Sequence, residues 1–340
     1  MGPSCKDYLA NAQYFFVAKP SAAMIYDPLE RYKGCLLGLA VGDALGTTLE
    51  FKRPDTFTPI ADMLGGGPFR LEPGQWTDDT SMALCLAESL IEKNGFDPDD
   101  QMQRYARWHS DGYLSCTGQC FDIGNTVRSA LDKYLQDGDP FAGSSDPATA
   151  GNGSLMRLAP VPLAFAGNPD EAIVLAAEMS RTTHGALQAL DACRYFTGLI
   201  IGALQGVSKE DLLHPLYHPT RGSWESDALT RAIENIAKGS FKEKQPPAIR
   251  GTGYVVDALE AALWAFYSED DFRSGALAAV NLGDDADTTG AIFGQLAGAY
   301  YGIDGVPEDW VGKLSMSGFI KQTAAGLLRF AKTSREQSVS

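Results

Sequence analysis

Residues 281–302 read NLGDDADTTGAIFGQLAGAYYG, and the two halves of that stretch pose linked problems. Asp284, Asp285 and Asp287 crowd three negative charges into four positions, which repel unless they face water or hold a cation. Behind them, Gly290, Gly294, Gly298 and Gly302 recur every fourth residue. Positions i and i+4 share one face of a helix, so this segment predicts a helix with a stripe bare of side chains. Glycine inside a helix costs about 1 kcal/mol relative to alanine, and such a stripe implies close backbone approach to a neighbour. Gly34, Gly38, Gly42 and Gly46 form a matching stripe, and Gly198, Gly202 and Gly206 a shorter third one. The expectation is a tightly packed central cluster of helices. If the first two striped helices run antiparallel, Glu50, just past one stripe, stands beside Asp285, Asp287 and Thr288, just before the other.

The remaining periodic text is helical as well. Segments such as TSMALCLAESLIEK (80–93) and YVVDALEAALWAFY (254–267) are rich in Ala, Leu and Glu, and none alternates as a half-buried strand does. Clusters of Gly, Pro, Asp and Ser separate them. The chain therefore reads as all-α, roughly a dozen or more helices in one domain over residues 26–332. Residues 1–25 read as an N-terminal extension and 333–340 as a flexible tail. Its 340 residues, 44% hydrophobic and 21% charged, are ordinary for a globular protein, and the net charge of −15 argues against a nucleic-acid partner. No stretch is long and apolar enough to span a bilayer: the best, GCLLGLAVGDALG, is short and carries Asp43. The N-terminus has no secretion-signal pattern. The six cysteines are scattered through largely apolar text, which predicts buried reduced thiols in a cytoplasmic protein, expected to be monomeric.

A second acidic cluster opens another helix: Thr77, Asp78, Asp79 and Thr80 in GQWTDDTSMA. For one such cluster, helix capping is the simpler reading. Two clusters, each holding more acids than a cap uses and each mixing carboxylate with threonine hydroxyl, favour hard divalent cations. Asp78, Asp79, Asp285 and Asp287 carry the charge to balance two of them, with neutral oxygens from Thr77 and Thr288. Calcium-loop spacing is absent, so the expected cofactors are two Mg2+ or Mn2+ ions. ATAGNGSLMRLAP (148–160) reads as a flexible loop entering a helix, whose free N–H groups suit a diphosphate; a plain turn is the other reading.

With these motifs in order, GCLLGLAVGDALGTTLEF, WTDDTSMA, FDIGNTV, GNGSLMRLAP, TTHGAL, GTGYVVDAL and NLGDDADTTGAIFGQLAGAYYG, the chain resembles the ADP-ribosylhydrolase family typified by the dinitrogenase reductase-activating glycohydrolase. The match runs from about Tyr32 to about Gly302. It implies one compact orthogonal helix bundle with two divalent ions at the base of an ADP-ribose cleft. By resemblance the metal ligands are Thr77, Asp78, Asp79, Asp285, Asp287 and Thr288. Asp284 is not counted among them. The catalytic candidates are Glu50, as general acid or base or as an orienting group, and Asp285. Gly151, Asn152, Gly153, Ser154 and Met156 are implied in the substrate pocket, with His184 in the cleft and Asp122 and Asn125 on the nucleotide side. Ala150 stands where some relatives carry an aromatic residue for the base, which leaves Phe121 and Tyr254 as stacking candidates. Arg157 is expected to pair with a buried carboxylate. The implied reaction is hydrolysis at the anomeric carbon of ADP-ribose on a modified protein. Arginine is the favoured acceptor, and serine, a small molecule or a non-catalytic crystallin-like role are the alternatives. Loops such as 52–75 and 108–120 are expected to read the acceptor.

Overall fold

A computed structural model describes residues 27–220, 224 and 227–339. The N-terminal extension lies outside the described residues. Among the described residues fourteen α-helices follow in order: α1 (Pro28–Gly46), α2 (Asp78–Lys93), α3 (Pro98–Asp111), α4 (Asn125–Asp137), α5 (Pro160–Ala164), α6 (Pro169–Arg181) and α7 (Leu187–Leu204). They continue with α8 (Lys209–Leu212), α9 (Arg231–Ala237), α10 (Val255–Ser268), α11 (Phe272–Val280), α12 (Ala286–Tyr301), α13 (Glu308–Lys313) and α14 (Ser317–Val339). Among the described residues β-pairing is confined to isolated bridges, as between Gly151 and Tyr254. The all-α expectation holds. Helix α14 continues to Val339, across the segment that composition marked as a tail.

Local signals set the helix starts. Asp27 accepts from Leu29 N at 3.0 Å with Pro28 in the first turn of α1, and Asp97 with Pro98 repeats the device at α3. The centre of the bundle is the α1–α12 pair. A Cβ built on Gly34 would lie 2.3 Å from Gly298 O, on Gly38 2.2 Å from Gly294 O, on Gly42 2.0 Å from Gly290 O, and on Gly46 2.3 Å from Ala286 O. Each step of four up one helix matches a step of four down the other, so the pair is antiparallel and backbone touches backbone. Arg31 locks one end of this pair. Its Nη1 donates to Ala299 O and Tyr300 O at 2.9 Å each and to Ala203 O, placing a cation at the carbonyl ends of α12 and α7.

The third stripe behaves differently. Gly198 faces the Pro219 ring, Gly202 faces Tyr217 and Leu212, and Gly206 lies beyond α7 at φ +79°. These glycines admit the 212–219 connection rather than a third central helix. Spacing alone does not say what fills a bare stripe.

One large core surrounds the α1–α12 pair. A smaller one, built on Met82, Met102, Tyr105, Trp108, Leu131 and Met156, lies between α2, α3 and α4. The smaller core seats α4 so that residues 121–127 run along the mouth of the acidic site. Cys35, Cys85 and Cys193 are free and buried, while Cys116 and Cys120 are only half-buried; Cys5 lies outside the described residues. No described helix is long and apolar enough to cross a membrane.

Candidate active site

Because α1 and α12 are antiparallel, the C-terminal end of one delivers Glu50 to the N-terminal end of the other. The carboxylate oxygens of Glu50, Asp122 and Asp287 lie within 4.8 Å of one another, and so do those of Asp43, Asp79 and Asp287. Six carboxylates from four parts of the chain thus meet around Asp287, once Asp78 is added beside Asp79. A cavity of about 460 Å³ opens onto them, lined by Glu50, Asp78, Asp122, Asp285, Asp287 and Thr288 among others, and among the described residues no Lys or Arg lines it.

Capping does not explain these acids. Thr77 and Asp285 occupy the N-cap positions of α2 and α12, yet neither side chain caps its helix. Asp43 reaches over from α1 instead, accepting from Thr77 N at 2.9 Å and Thr80 N at 3.0 Å, and from their hydroxyls at 3.0 and 2.6 Å. Asp78 and Asp79 are thereby freed from capping. The hydroxyl of Thr77, with one proton to give, has Asp43 Oδ1 at 3.0 Å, Asp79 Oδ2 at 3.1 Å and Asp287 Oδ2 at 3.3 Å. Acceptors outnumber donors. Glu50 Oε2, Asp79 Oδ1 and Asp287 Oδ1 are buried with no hydrogen-bond partner among the described residues, a costly arrangement for polar oxygens. Orphaned carboxylate oxygens beside threonine hydroxyls in this density fit a metal cation.

Burial and mutual repulsion oppose ionisation here. Burial first, then neighbouring carboxylates, raise Asp78, Asp79 and Asp287 well above the usual range. Burial lifts Asp43 to about 6 against four favourable hydrogen bonds, and Asp122 to about 7. Glu50 is pushed up to about 10, by burial and then by Asp122. Each folded-state value exceeds the unfolded one, so the stability these acids contribute is present at low pH. It is lost as pH rises through the folded values. The metal-free protein is therefore expected to melt at lower temperature at pH 8 than at pH 5. The increase in Tm on adding Mn2+ should grow over the same interval, since the cation then replaces repulsion rather than protons. Thermal scans at fixed ionic strength check both trends; a metal increment that shrinks toward pH 8 contradicts them.

Asp43 and the place of Asp122 escaped the sequence reading. Asp43 is a lone acid inside a glycine-striped apolar helix, and that burial was its available signal. Asp122, expected on the nucleotide side, faces Glu50 instead. Its backbone has φ +61°, a turn that no motif announces. Asp284 pairs with Arg250 at 3.5 Å, in keeping with its omission from the ligand set.

Across the cavity lies the glycine loop. Gly151, Asn152, Gly153, Met156, Asn125 and His184 all line it. Asn152 Nδ2 donates to Asp285 Oδ2 at 2.8 Å, coupling loop to carboxylates. The expected helix entry is absent: residues 152–157 are successive turns, and α5 begins only at Pro160. The N–H groups of Gly153 and Ser154 make no hydrogen bond within the described structure, so an anion site here rests on turn N–H groups. Gln295 of α12 holds the loop's far end by donating to Met156 O at 2.8 Å. Ser154 turns inward, accepting from Ser180 Oγ at 2.8 Å, and does not line the cavity. Arg157 has no carboxylate partner: it donates to Gly153 O and to Thr183 Oγ1, each at 2.7 Å, and lies over the Tyr105 ring. A carbonyl, a hydroxyl and a π face take the place of the carboxylate, while Nε stays buried with no partner among the described residues.

His184 packs against this loop. Its Nδ1 is 2.8 Å from Thr183 Oγ1, which already accepts from Arg157. With the Thr183 hydroxyl donating to Nδ1, the proton of the neutral ring sits on Nε2, next to Gly151 and Gly153. Burial and the Arg157 charge lower its pKa to about 3, so His184 is neutral and a donor near the loop. Tyr254 is 38% exposed at the start of α10, beside Gly151. Phe121 lies away from the glycine loop, 5.2 Å from the Phe69 ring, in an adjoining cavity. That leaves Tyr254 as the aromatic next to the loop.

The family model for ADP-ribosylglycohydrolase matches residues 24–337. The chain belongs to the ADP-ribosylglycohydrolase family. As a member of it, the chain is 44% identical over 299 residues to the ADP-ribosylarginine hydrolase Tri1 of Pseudomonas putida, covering 88% of this chain and 78% of that one. It is 35% identical over 294 residues to the ADP-ribosyl-[dinitrogen reductase] glycohydrolase of Rhodospirillum rubrum, covering 84% and 91%. A solved structure described as an ADP-ribosylglycohydrolase-related protein complex superposes with a TM-score of 0.79 at 45% identity, covering 89% of this chain and 99% of that one. The expected fold and family are both borne out, and ADP-ribosylglycohydrolases are hydrolytic enzymes.

Proposed function

We propose that this ADP-ribosylglycohydrolase cleaves the bond between the anomeric carbon of ADP-ribose and an arginine side chain, using two Mg2+ or Mn2+ ions. The observation that carries the reading is the surplus of buried carboxylate oxygens facing a cavity with no cationic side chain, beside a loop with free N–H groups. Thr77, Asp78, Asp79, Asp285, Asp287 and Thr288 are the ligand set the geometry supports, with Asp43 holding Thr77 in place. When bound, such ions supply Lewis-acid stabilisation and a template for ribose hydroxyls and water. The loop and His184 then bind the diphosphate, and Tyr254 stands where the base can stack.

The protein's own acid chemistry suits the departure of guanidine. Burial and Asp122 favour the protonated form of Glu50 in the metal-free protein, and as general acid it gives its proton to the departing guanidine nitrogen as the carbon–nitrogen bond breaks. Water adds to the anomeric carbon and its proton restores Glu50. The products are ADP-ribose and an arginine cation, which the negative cavity accommodates electrostatically. Relatives named as acting on ADP-ribosylarginine support this acceptor. A crystallin-like role is disfavoured, because a merely structural protein gains nothing from repelling buried acids. The glycine faces of α1 and α12 are buried within one chain, which supports a monomer. The buried free thiols support a cytoplasmic setting and residues 26–332 the working domain.

Release of ADP-ribose from matched arginine- and serine-linked peptides tests the reading. The expected result is release from the arginine peptide with Mg2+ or Mn2+ and none with EDTA. Release only from the serine peptide overturns the acceptor, and EDTA-insensitive release overturns the metals.

A further inference from the structure

Three cavities follow one another along residues 121–130. The central one holds the carboxylates and the glycine loop. On one side it shares Asn125 and Thr126 with a cavity of about 540 Å³ that reaches Ser144 and Thr149. On the other it shares Phe51, Asp122 and Ile123 with a cavity of about 370 Å³ that reaches Phe69, His109 and Arg128. Thr149 leads directly into Ala150 and Gly151, so the first side cavity continues from the diphosphate loop and suits the adenosine end. The anomeric carbon belongs at the carboxylates, and the bond to the acceptor points into the remaining cavity.

We infer that the Phe51–Phe69–Arg128 cavity is the acceptor subsite, receiving the stretch of polypeptide that carries the modified arginine. This rests on the arginine reading of the central site. Four features support it. The cavity is continuous with the carboxylates through Asp122, whose acid group faces the position of a guanidinium. Its walls are the aromatic pair Phe69 and Phe121, 5.2 Å apart, which suit the apolar parts of the residues that flank the modified arginine in a polypeptide. Arg128, exposed at its edge, complements an acidic neighbour of the modified residue.

The fourth feature is strain. Phe51 is 67% exposed and has φ +59°, a conformation bulky side chains rarely adopt. Reciprocal backbone bonds hold it there: Phe51 N donates to Asp284 O and Asp284 N to Lys52 O, each at 2.7 Å. An exposed aromatic ring in a strained backbone does not serve the core. It does serve a surface that must present a ring between the central cavity and its neighbour.

Two substrates separate the possibilities: an arginine-ADP-ribosylated peptide with an acidic residue beside the arginine, and free ADP-ribosylarginine, which lacks flanking chain. Phe69→Ala should raise KM for the peptide about tenfold with kcat within about twofold, and leave free ADP-ribosylarginine within about twofold of wild type. Arg128→Glu, at an exposed position that does not threaten folding, should raise KM for the same peptide, and a peptide with lysine in place of the acid should reverse that loss. Equal losses on both substrates, or no loss on the peptide with either variant, would falsify the subsite while the arginine reading stands. Wild-type protein inactive on both substrates removes the arginine reading, and the subsite falls with it.

Discussion

Asp287→Ala is expected to lower metal-dependent release of ADP-ribose by about a thousandfold or more, with the helical fold intact. That loss corresponds to about 4 kcal/mol of transition-state stabilisation, the scale expected when a metal's role in a hydrolysis is removed. Asp287 is the carboxylate common to both acidic groups, and one of its oxygens is buried with no partner. Its removal takes a ligand from the shared position and relieves repulsion in the metal-free state. The variant should therefore match or exceed the melting temperature of the metal-free parent while losing most of the rise in Tm with Mn2+. Calorimetric titration of Mn2+ and the peptide-release assay measure the two effects separately. An Asp287→Ala protein that retains both full activity and the Mn2+ stabilisation would show that the carboxylate cluster holds no catalytic metal.

Gly42→Ala is expected to destabilise the protein by about 2–3 kcal/mol, the usual range for overpacking a tight contact. Local propensity predicts the opposite sign, since alanine favours helix by about 1 kcal/mol over glycine. Tertiary contact wins because the new Cβ would fall 2.0 Å from Gly290 O and 2.3 Å from Gly290 C. Backbone atoms cannot rotate aside as a side chain can, so α1 and α12 must part. Their parting also widens the gap between Glu50 and Asp287, and activity should fall together with stability. Gly312→Ala is the control: in α13 with nothing within 4 Å of the added Cβ, it should be neutral or slightly stabilising. Denaturant melts of both variants against the parent decide the matter. A Gly42→Ala protein as stable as the parent would mean the helix pair has slack that the register denies.

The glycine stripes, the two acidic clusters and the helical period were legible in the sequence because each is a spacing. A helix turns residues i and i+4 to one face wherever it lies, so a bare stripe declares a close contact before the partner is known. The approach of Glu50 to Asp287 followed from the same spacing on the condition that the striped helices run antiparallel, and the structure supplied that condition. The motif order carried the family and singled out the glycine loop at 151–153. Spacing ran out where contact depends on what a loop does. The Gly198 stripe looked like the other two and proved to seat Tyr217 and Pro219. Arg157 looked like half of an ion pair and bonds a carbonyl and a hydroxyl instead.

Three-dimensional packing alone decided the rest. Asp43 is one acid among apolar residues in the chain, and only the crossing of α1 over the start of α2 lets its two oxygens take four donors from Thr77 and Thr80. Asp122 and Phe51 reach the centre through left-handed turns, which their residue types do not signal. Periodic elements were determined by sequence because side-chain direction repeats along a helix. The carboxylate geometry was decided by tertiary structure because it depends on how four separate segments converge, and no local period encodes that.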